Sequence, residues 1–301
     1  MELWIPITLV AAFLQNVRSS LQKYLKGAMG TTGATFVRFG FGMPFVLILV
    51  SVLHFQVGYA FPPISGRFLV WVFVGALSQI GATFLLVHLF SFRNFAVGTA
   101  YSRTEPVQAA LFGMLFLGEK IGPSTIAAIA ISMIGVMLIS VARTAFTLTS
   151  LVTSLSQRIA IIGLISGAGF GFSAVSYRAA SLALAGPNFL MQGAVTLAFA
   201  IVIQTVTMLL WMTAREPGQF ALIRKAWKPS LIVGIAGAFA SLGWFTAMTL
   251  QNAAVVKALA QVEMIFTFAT TVFFFRETIN RLEVIGCLFV VAGVLALVLA
   301  R

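Results

Sequence analysis

Residues 94–136, NFAVGTAYSRTEPVQAALFGMLFLGEKIGPSTIAAIAISMIGV, align without a gap to residues 252–294, NAAVVKALAQVEMIFTFATTVFFFRETINRLEVIGCLFVVAGV. Ten of the 43 aligned positions are identical, and two of these identities pair glutamates: Glu105 with Glu263 and Glu119 with Glu277. Apolar identities carry little information in so apolar a chain. The whole chain has only seven acidic residues, however, so two aligned glutamate pairs are informative. The sequence therefore predicts an internal duplication.

The composition is that of a membrane protein. Hydrophobic residues make up 60% of the 301 residues, charged residues make up 9%, and the mean hydropathy is +1.05. A soluble domain is far more polar than this. An apolar segment of about 20 residues crosses the hydrocarbon core as a helix. We predict ten such helices, at roughly 3–22, 33–53, 68–90, 95–117, 122–142, 159–180, 188–213, 230–250, 253–275 and 282–300.

The duplication predicts how these helices are organised. The chain divides into two units of five helices, residues 1–142 and 159–301, joined by a polar connection at residues 143–158. Because five is an odd number of crossings, the second unit enters the membrane from the opposite side. We therefore expect an all-α integral membrane fold of ten transmembrane helices arranged as two inverted five-helix repeats. Such a fold places a substrate site near the midplane, between the halves.

Several short motifs point to a known family. They are Val37-Arg38-Phe39, Pro106 in helix 4, LFLGEKI at residues 115–121, Ile134-Gly135-Val136, FRETI at residues 275–279, and Ala292-Gly293-Val294. Together they resemble the drug/metabolite transporter superfamily, specifically its ten-helix members with two EamA-type repeats. The resemblance covers essentially the full length. It implies a secondary transporter, commonly an exporter of amino acids, other metabolites or drugs. Met264 stands where the first repeat has Pro106, so helix 9 is expected to lack the break expected in helix 4.

Polar residues inside the predicted helices mark a candidate substrate site. An ionisable side chain at a helix centre costs about 2.5–3.5 kcal/mol on insertion scales, so it needs a partner or a hydrated cavity. Helices 4 and 9 carry such residues at aligned positions, and one face of helix 1 is polar at helical spacing. The predicted substrate-binding residues are Thr99, Tyr101, Arg103, Glu105, Lys257, Gln261, Glu263, Gln15 and Ser19.

Two main interpretations of the central carboxylates stay open at this point, besides simple burial away from the transport pathway. Glu105 and Glu263 are candidate proton-coupling residues, which would bind a proton or a substrate ammonium and exchange one for the other. Alternatively, each carboxylate forms a structural ion pair with a cation of the other half, such as Arg103 or Lys257. In the first interpretation, Arg103 and Lys257 offer positive charge to a substrate carboxylate. Lys257 could instead extend toward the membrane interface.

Other polar and small residues are expected to be structural. Arg38 is predicted to anchor the start of helix 2. Glu119 and Glu277 precede helices 5 and 10, where an acidic side chain complements the helix dipole and caps free N–H groups. The glycine motif of residues 167–171 in helix 6 predicts close helix–helix approach, because no strand precedes it as a phosphate-binding loop would require.

The remaining residues exclude several classes of function. Cys287 is a lone cysteine, and His54 and His88 have no second ligand at metal spacing, so we expect no metal site and no cofactor. No nucleophile–base pattern indicates an enzyme. The net charge of +12 is scattered over the loops, which fits contact with anionic lipid headgroups and not with nucleic acid.

The connections after odd-numbered helices hold eleven Lys and Arg residues, whereas the opposite side, with both termini, holds four. The positive-inside rule would therefore place both termini outside. The resemblance implies the opposite orientation, with cytoplasmic termini.

We thus expect a multi-pass protein of a bacterial inner membrane. The predicted function is secondary transport, as an exporter of a small polar metabolite such as an amino acid or organic anion, by alternating access. The substrate is a small molecule whose transport is coupled to protons or another ion. Two alternatives are an exporter of cationic drugs and a flippase of a lipid-linked sugar.

Overall fold

A computed structural model describes residues 2–92, 95–142, 158–186, 188–269 and 280–299. All regular structure in these ranges is helical. The first half contains seven helices: α1 Trp4–Ala28, α2 Thr31–Gly40, α3 Met43–Phe55, α4 Gly66–Leu89, α5 Phe95–Ser102, α6 Glu105–Leu117 and α7 Pro123–Val141. The second half contains α8 Arg158–Ala183, α9 Phe189–Arg215, α10 Gln219–Lys225, α11 Trp227–Leu250, α12 Ala253–Leu259, a 3₁₀ turn at Ala260–Val262, α13 Glu263–Ala269 and α14 Arg281–Leu299.

Seven helical segments of the described residues are long and apolar enough to cross a membrane. They are Thr31–Phe55, Gly66–Leu89, Pro123–Ser140, Arg158–Ala183, Phe189–Arg215, Trp227–Leu250 and Arg281–Leu299. The other three predicted helices correspond to the polar helix α1 and to the interrupted helices α5–α6 and α12–α13. The chain is therefore an integral, multi-pass membrane protein. The count of ten crossings stays a prediction, and residues 143–157 of the predicted connection at 143–158 lie outside the described residues.

Predicted helices 4 and 9 are both interrupted, and at aligned positions. Helix 4 breaks at residues 103–104, between α5 and α6, with Pro106 in the first turn of α6. Proline is tolerated there because the first-turn N–H groups have no intrahelical partner. Helix 9 breaks at Ala260–Val262. The expectation that helix 9 lacks a break was wrong. This break contains no proline, and within it the side chain of Gln261 donates a hydrogen bond to the carbonyl of Arg103, in the break of helix 4, at 3.3 Å.

The most extensive helix contacts join the two halves. They are α4 with α8, α1 with α11, and α7 with α14. In the numbering of the predicted helices, these are contacts of helix 3 with helix 6, helix 1 with helix 8, and helix 5 with helix 10. Exchanging the two halves converts the first contact into the second and leaves the third unchanged. This is the pairing that a two-fold relation between the repeats requires, while the inverted orientation stays a prediction.

Glycines allow these helices to approach closely. A Cβ atom at Gly135 of α7 would lie 2.5 Å from the carbonyl oxygen of Gly286 on α14. A Cβ atom at Gly171 of α8 would lie 3.0 Å from the backbone nitrogen of Ala109 on α6. The predicted role of the glycine motif at residues 167–171 in close helix approach is thus confirmed. The contact sets the distance between α8 and the break in helix 4.

Replacing Gly135 by alanine should destabilise the protein, because backbone atoms of α14 would have to move. Overpacking of this kind costs about 1–3 kcal/mol. Gly81 of α4 is the matched control, since a Cβ atom there would meet nothing within 4 Å. Gly81→Ala should be neutral or stabilise the helix by roughly 0.5–1 kcal/mol. Thermal unfolding in detergent measures both variants. Equal melting temperatures for the two would contradict the close packing of α7 on α14.

The inverted repeat predicts that the connection before α4 and the short helix α10 face opposite sides of the membrane. In a protein with Cys287 replaced by serine, single cysteines placed beside Arg67 and after Arg224 should react with a membrane-impermeant maleimide from opposite faces of sealed vesicles. Labelling of both positions from one face would refute the inversion. The position that reacts from the outside also shows on which side of the membrane the termini lie.

Candidate functional site

A polar cavity of about 310 Å³ lies between the two halves, next to the breaks in helices 4 and 9. Its wall combines serine and glutamine side chains with five basic residues and two acidic residues. The charged residues are Arg18, Lys23, Arg38, Arg103, Lys257, Glu105 and Glu263. Charges at this depth are stable only where water or an opposite charge accompanies them. Three of the four charged residues that are buried among the described residues, Arg18, Arg38 and Glu263, line this cavity.

The carboxylate of Glu263 is bound by residues of the first half. Arg103 donates from Nη1 to Oε2 at 3.0 Å and from Nη2 to Oε1 at 3.3 Å, which is a bidentate ion pair. Gln15 of α1 donates to Oε2 of the same carboxylate at 2.9 Å. The side-chain oxygen of Gln15 in turn accepts a hydrogen bond from the indole of Trp244 at 3.0 Å. The carboxylate is only 3% exposed, so these contacts replace its water.

The carboxylate of Glu105, which belongs to the first half, pairs with a cation of the second half. Lys257 Nζ lies 2.8 Å from Glu105 Oε1. The same ammonium lies 5.0 Å from the ring centroid of Trp244, within the range of a cation–π contact. The alternative in which Lys257 extends to the membrane interface is therefore wrong. Its side chain is 12% exposed and points inward, because the carboxylate and the indole face provide both its counter-charge and its packing.

Seven of the nine predicted site residues line this cavity: Gln15, Ser19, Thr99, Arg103, Glu105, Lys257 and Glu263. The other two lie next to it. Gln261 is buried and contacts the backbone of Arg103. Tyr101 is buried in a small cluster with Ala160 of α8. The structure thus brings helices 1, 4 and 9 together at one place. Substrate binding by these residues stays a prediction.

Arg38 does not anchor the start of helix 2, and that expectation was wrong. It lies near the end of α2, is 4% exposed, and lines the cavity. Its Nη1 donates to the hydroxyl of Thr83 at 3.0 Å. The apolar segment continues past it to Phe55 without a connection. The position of Arg38 inside this 25-residue segment was the signal that could have identified it as a cavity residue.

A hydrogen-bonded trio, which the sequence did not indicate, contributes Gln79 and Tyr177 to the wall of the cavity. Gln204 of α9 donates to Gln79 of α4 at 2.7 Å and lies 2.9 Å from the hydroxyl of Tyr177 on α8. Tyr177 donates to the same Gln79 oxygen at 3.1 Å. The three residues are far apart in sequence, so nothing in their local spacing connects them. They join three helices from both halves beside the cavity.

Glu119 forms a structural ion pair and does not cap helix 5. The N-cap of α7 is Gly122, and it receives no side-chain hydrogen bond. Glu119 instead accepts from Nε of Arg178 at 2.5 Å. Arg178 also donates to the carbonyls of Met248 and Gln251 at the end of α11. These contacts connect the halves away from the cavity. The aligned Glu277 lies outside the described residues.

The fold and cavity define a class of protein: a polytopic membrane protein with a polar chamber between two helical units. The sequence profile of the EamA-like transporter family matches residues 2–141 and again residues 157–299. The chain belongs to this family, and the predicted resemblance to transporters with two EamA-type repeats is confirmed. The protein is accordingly a membrane transporter of small molecules, since members of this family are transporters.

One similar solved structure, titled as a crystal structure of a protein, shows the same fold. It superposes with a TM-score of 0.73 at 17% sequence identity, over 99% of this chain and 96% of that chain. No curated protein matches the chain. Among the described residues, no three His, Cys, Asp or Glu side chains cluster in a way that could hold a metal ion.

The Lys257–Glu105 pair should show the energetics of a buried ion pair. Lys257→Met and Glu105→Met each leave one charge without its partner, and each should destabilise the protein by roughly 1–3 kcal/mol. The double variant removes both charges and should recover most of that loss. Melting temperatures of the four proteins in the cycle measure the coupling. Additive losses in the double variant would show that the contact contributes nothing.

Proposed function

We propose that this transporter is a secondary exporter of a small polar metabolite, such as an amino acid or an organic anion. In this proposal, residues 1–142 and 159–301 are the two units that rock against each other around the cavity. The observation that carries the proposal is the polar cavity at the junction of the halves, crossed by two ion pairs that each join one half to the other. We place the protein in a bacterial inner membrane.

The charge of the cavity favours solutes that carry a carboxylate. Its wall holds five basic and two acidic side chains, so it attracts anions and repels simple cations. A zwitterion could place its carboxylate near Arg103 or Lys257 and its ammonium near Glu105 or Glu263. The basic wall argues against an exporter of cationic drugs. The volume of about 310 Å³ suits a small ligand and is at the low end for drug-sized molecules, which argues against a lipid-linked sugar.

The two ion pairs suggest how substrate binding could drive alternating access. Arg103–Glu263 and Lys257–Glu105 both bridge the halves, so a rocking motion must lengthen or exchange them. A substrate carboxylate can replace a glutamate as the partner of Arg103 or Lys257. The released glutamate is then free to take up a proton or to bind the substrate ammonium. Glu105 and Glu263 are therefore the proposed coupling residues, while Gln15, Ser19, Thr99, Tyr101 and Gln261 supply polar contacts around them.

Solid-supported-membrane electrophysiology of proteoliposomes tests the proposal. Single amino acids and dicarboxylates, applied one at a time, should include at least one solute that produces a transport current. Tetraphenylphosphonium, a hydrophobic cation, should produce none. A current with tetraphenylphosphonium and with no carboxylate-bearing solute would favour the cationic-drug exporter and refute the proposal.

Glu105→Gln and Glu263→Gln should abolish most proton-coupled transport, because a glutamine can donate a hydrogen bond but cannot carry a proton. The measurement is the transport current of the active solute with and without a pH gradient. Glu2→Gln is the matched control, since the same change at this exposed residue should leave the pH response intact. Normal transport with unchanged pH dependence in both cavity variants would show that the carboxylates are structural.

A further inference from the structure

Arg18 is a buried cation whose hydrogen-bonding capacity is largely unused. It lies on α1, is 4% exposed, and lines the cavity. Within the described part of the chain, its Nε and Nη1 atoms are buried and have no hydrogen-bond partner. Nη2 has one long contact, 3.4 Å to the hydroxyl of Ser19. A guanidinium offers five N–H donors, and leaving buried donors unsatisfied costs free energy.

Arg38 lies beside Arg18. A Cβ atom built on Gly237 of α11 would be 3.4 Å from Cδ of Arg18 and 3.4 Å from Cγ of Arg38. The two arginines therefore pack side by side against the same glycine, and both side chains line the cavity. Nη1 of Arg38 donates to the hydroxyl of Thr83 at 3.0 Å, and this bond fixes the direction of the guanidinium. The absence of a side chain at Gly237 leaves room for both stems.

No carboxylate of the described residues forms an ion pair with either arginine. Glu263 is engaged by Arg103, Glu105 by Lys257, and Glu119 by Arg178. Glu263 and Glu105 attract Arg18 only at longer range, and Glu105 attracts Arg38 in the same way. The two neighbouring buried cations repel each other and have lost much of their hydration. The buried nitrogens of Arg18 that have no partner can therefore donate to an added anion, in a cavity large enough to hold one.

We propose that Arg18 and Arg38 form an oxyanion subsite that binds the anionic group of the transported solute. The inference rests on the proposed transport function and narrows its substrate class to small soluble organic anions, that is, solutes carrying a carboxylate or phosphate group. Arg18 and Arg38 offer this group a cationic site that forms no ion pair, whereas Arg103 and Lys257 can bind it only after a glutamate is displaced. A guanidinium pair suits planar or tetrahedral oxyanions, because several N–H groups can bind the oxygens of one anion.

Binding of simple oxyanions to the purified protein tests the subsite without requiring transport. The probes are succinate and inorganic phosphate, compared with chloride at equal ionic strength so that general screening cancels. The wild-type protein should show a higher melting temperature with at least one oxyanion. Arg18→Gln and Arg38→Gln should each weaken that binding by at least about tenfold, the equivalent of one charged hydrogen bond. Arg67→Gln, which removes an exposed arginine at the start of α4, should bind like the wild type.

Arg18→Lys keeps the charge, removes the guanidinium, and serves as the second variant if Arg18→Gln does not fold. It should bind the oxyanion more weakly than the wild type. Three results would overturn the subsite: no stabilisation of the wild type by either oxyanion, unchanged binding in the Arg18 and Arg38 variants, or stabilisation only by phosphatidylglycerol, which would assign the arginines to a lipid headgroup.

The proposed function fails on a different observation. If oxyanions bind at Arg18 and Arg38 but no solute produces a current in proteoliposomes, the two arginines form an anion site and the transport proposal fails. If currents occur and are insensitive to Arg18→Gln and Arg38→Gln, transport stands and the subsite is refuted.

Discussion

A buried charge in a membrane protein needs an opposite charge or water, and this constraint organises the centre of the molecule. Each central glutamate finds its cation in the opposite half: Glu263 is bound by Arg103, and Glu105 by Lys257. Removing either half would leave charges without partners at a depth where an isolated charge costs several kcal/mol. The ion pairs therefore favour association of the halves, and they also place the polar cavity at the junction between them.

In both repeats the central glutamate pairs with a cation of the other half, but the two cations do not occupy aligned positions. Glu105 and Glu263 are aligned, but their cations are not, since Lys257 aligns with Thr99 and Arg103 aligns with Gln261. Gln261 nevertheless contacts the backbone of its aligned counterpart, Arg103, so the two breaks meet. The charges that line the cavity are therefore arranged asymmetrically, although two related units contribute them.

Close helix packing holds the charged side chains of the cavity at their pairing distances. The helices that connect the halves approach at glycines, where an added methyl group would contact backbone atoms of the neighbour. Helix association in lipid gains little from the hydrophobic effect, so such short contacts and interhelical hydrogen bonds carry more of the stability. Arg178 donates hydrogen bonds to Glu119 and to two carbonyls at the end of α11. These bonds add a polar connection between the halves outside the cavity.

The sequence by itself determined the membrane location, the duplication, the family and the four charged residues that form the central ion pairs. These features depend on composition, helical spacing and alignment, which are local properties of the chain. Tertiary structure alone decided which charges pair. It pairs Arg103 with Glu263, 160 residues apart in the sequence, and Arg178 with Glu119. It also places Arg38 in the wall of the cavity and interrupts helix 9 at a site without a proline. The partner of a buried charge is whichever side chain the packing of other helices brings within 4 Å, and helical periodicity in one segment carries no information about that neighbour.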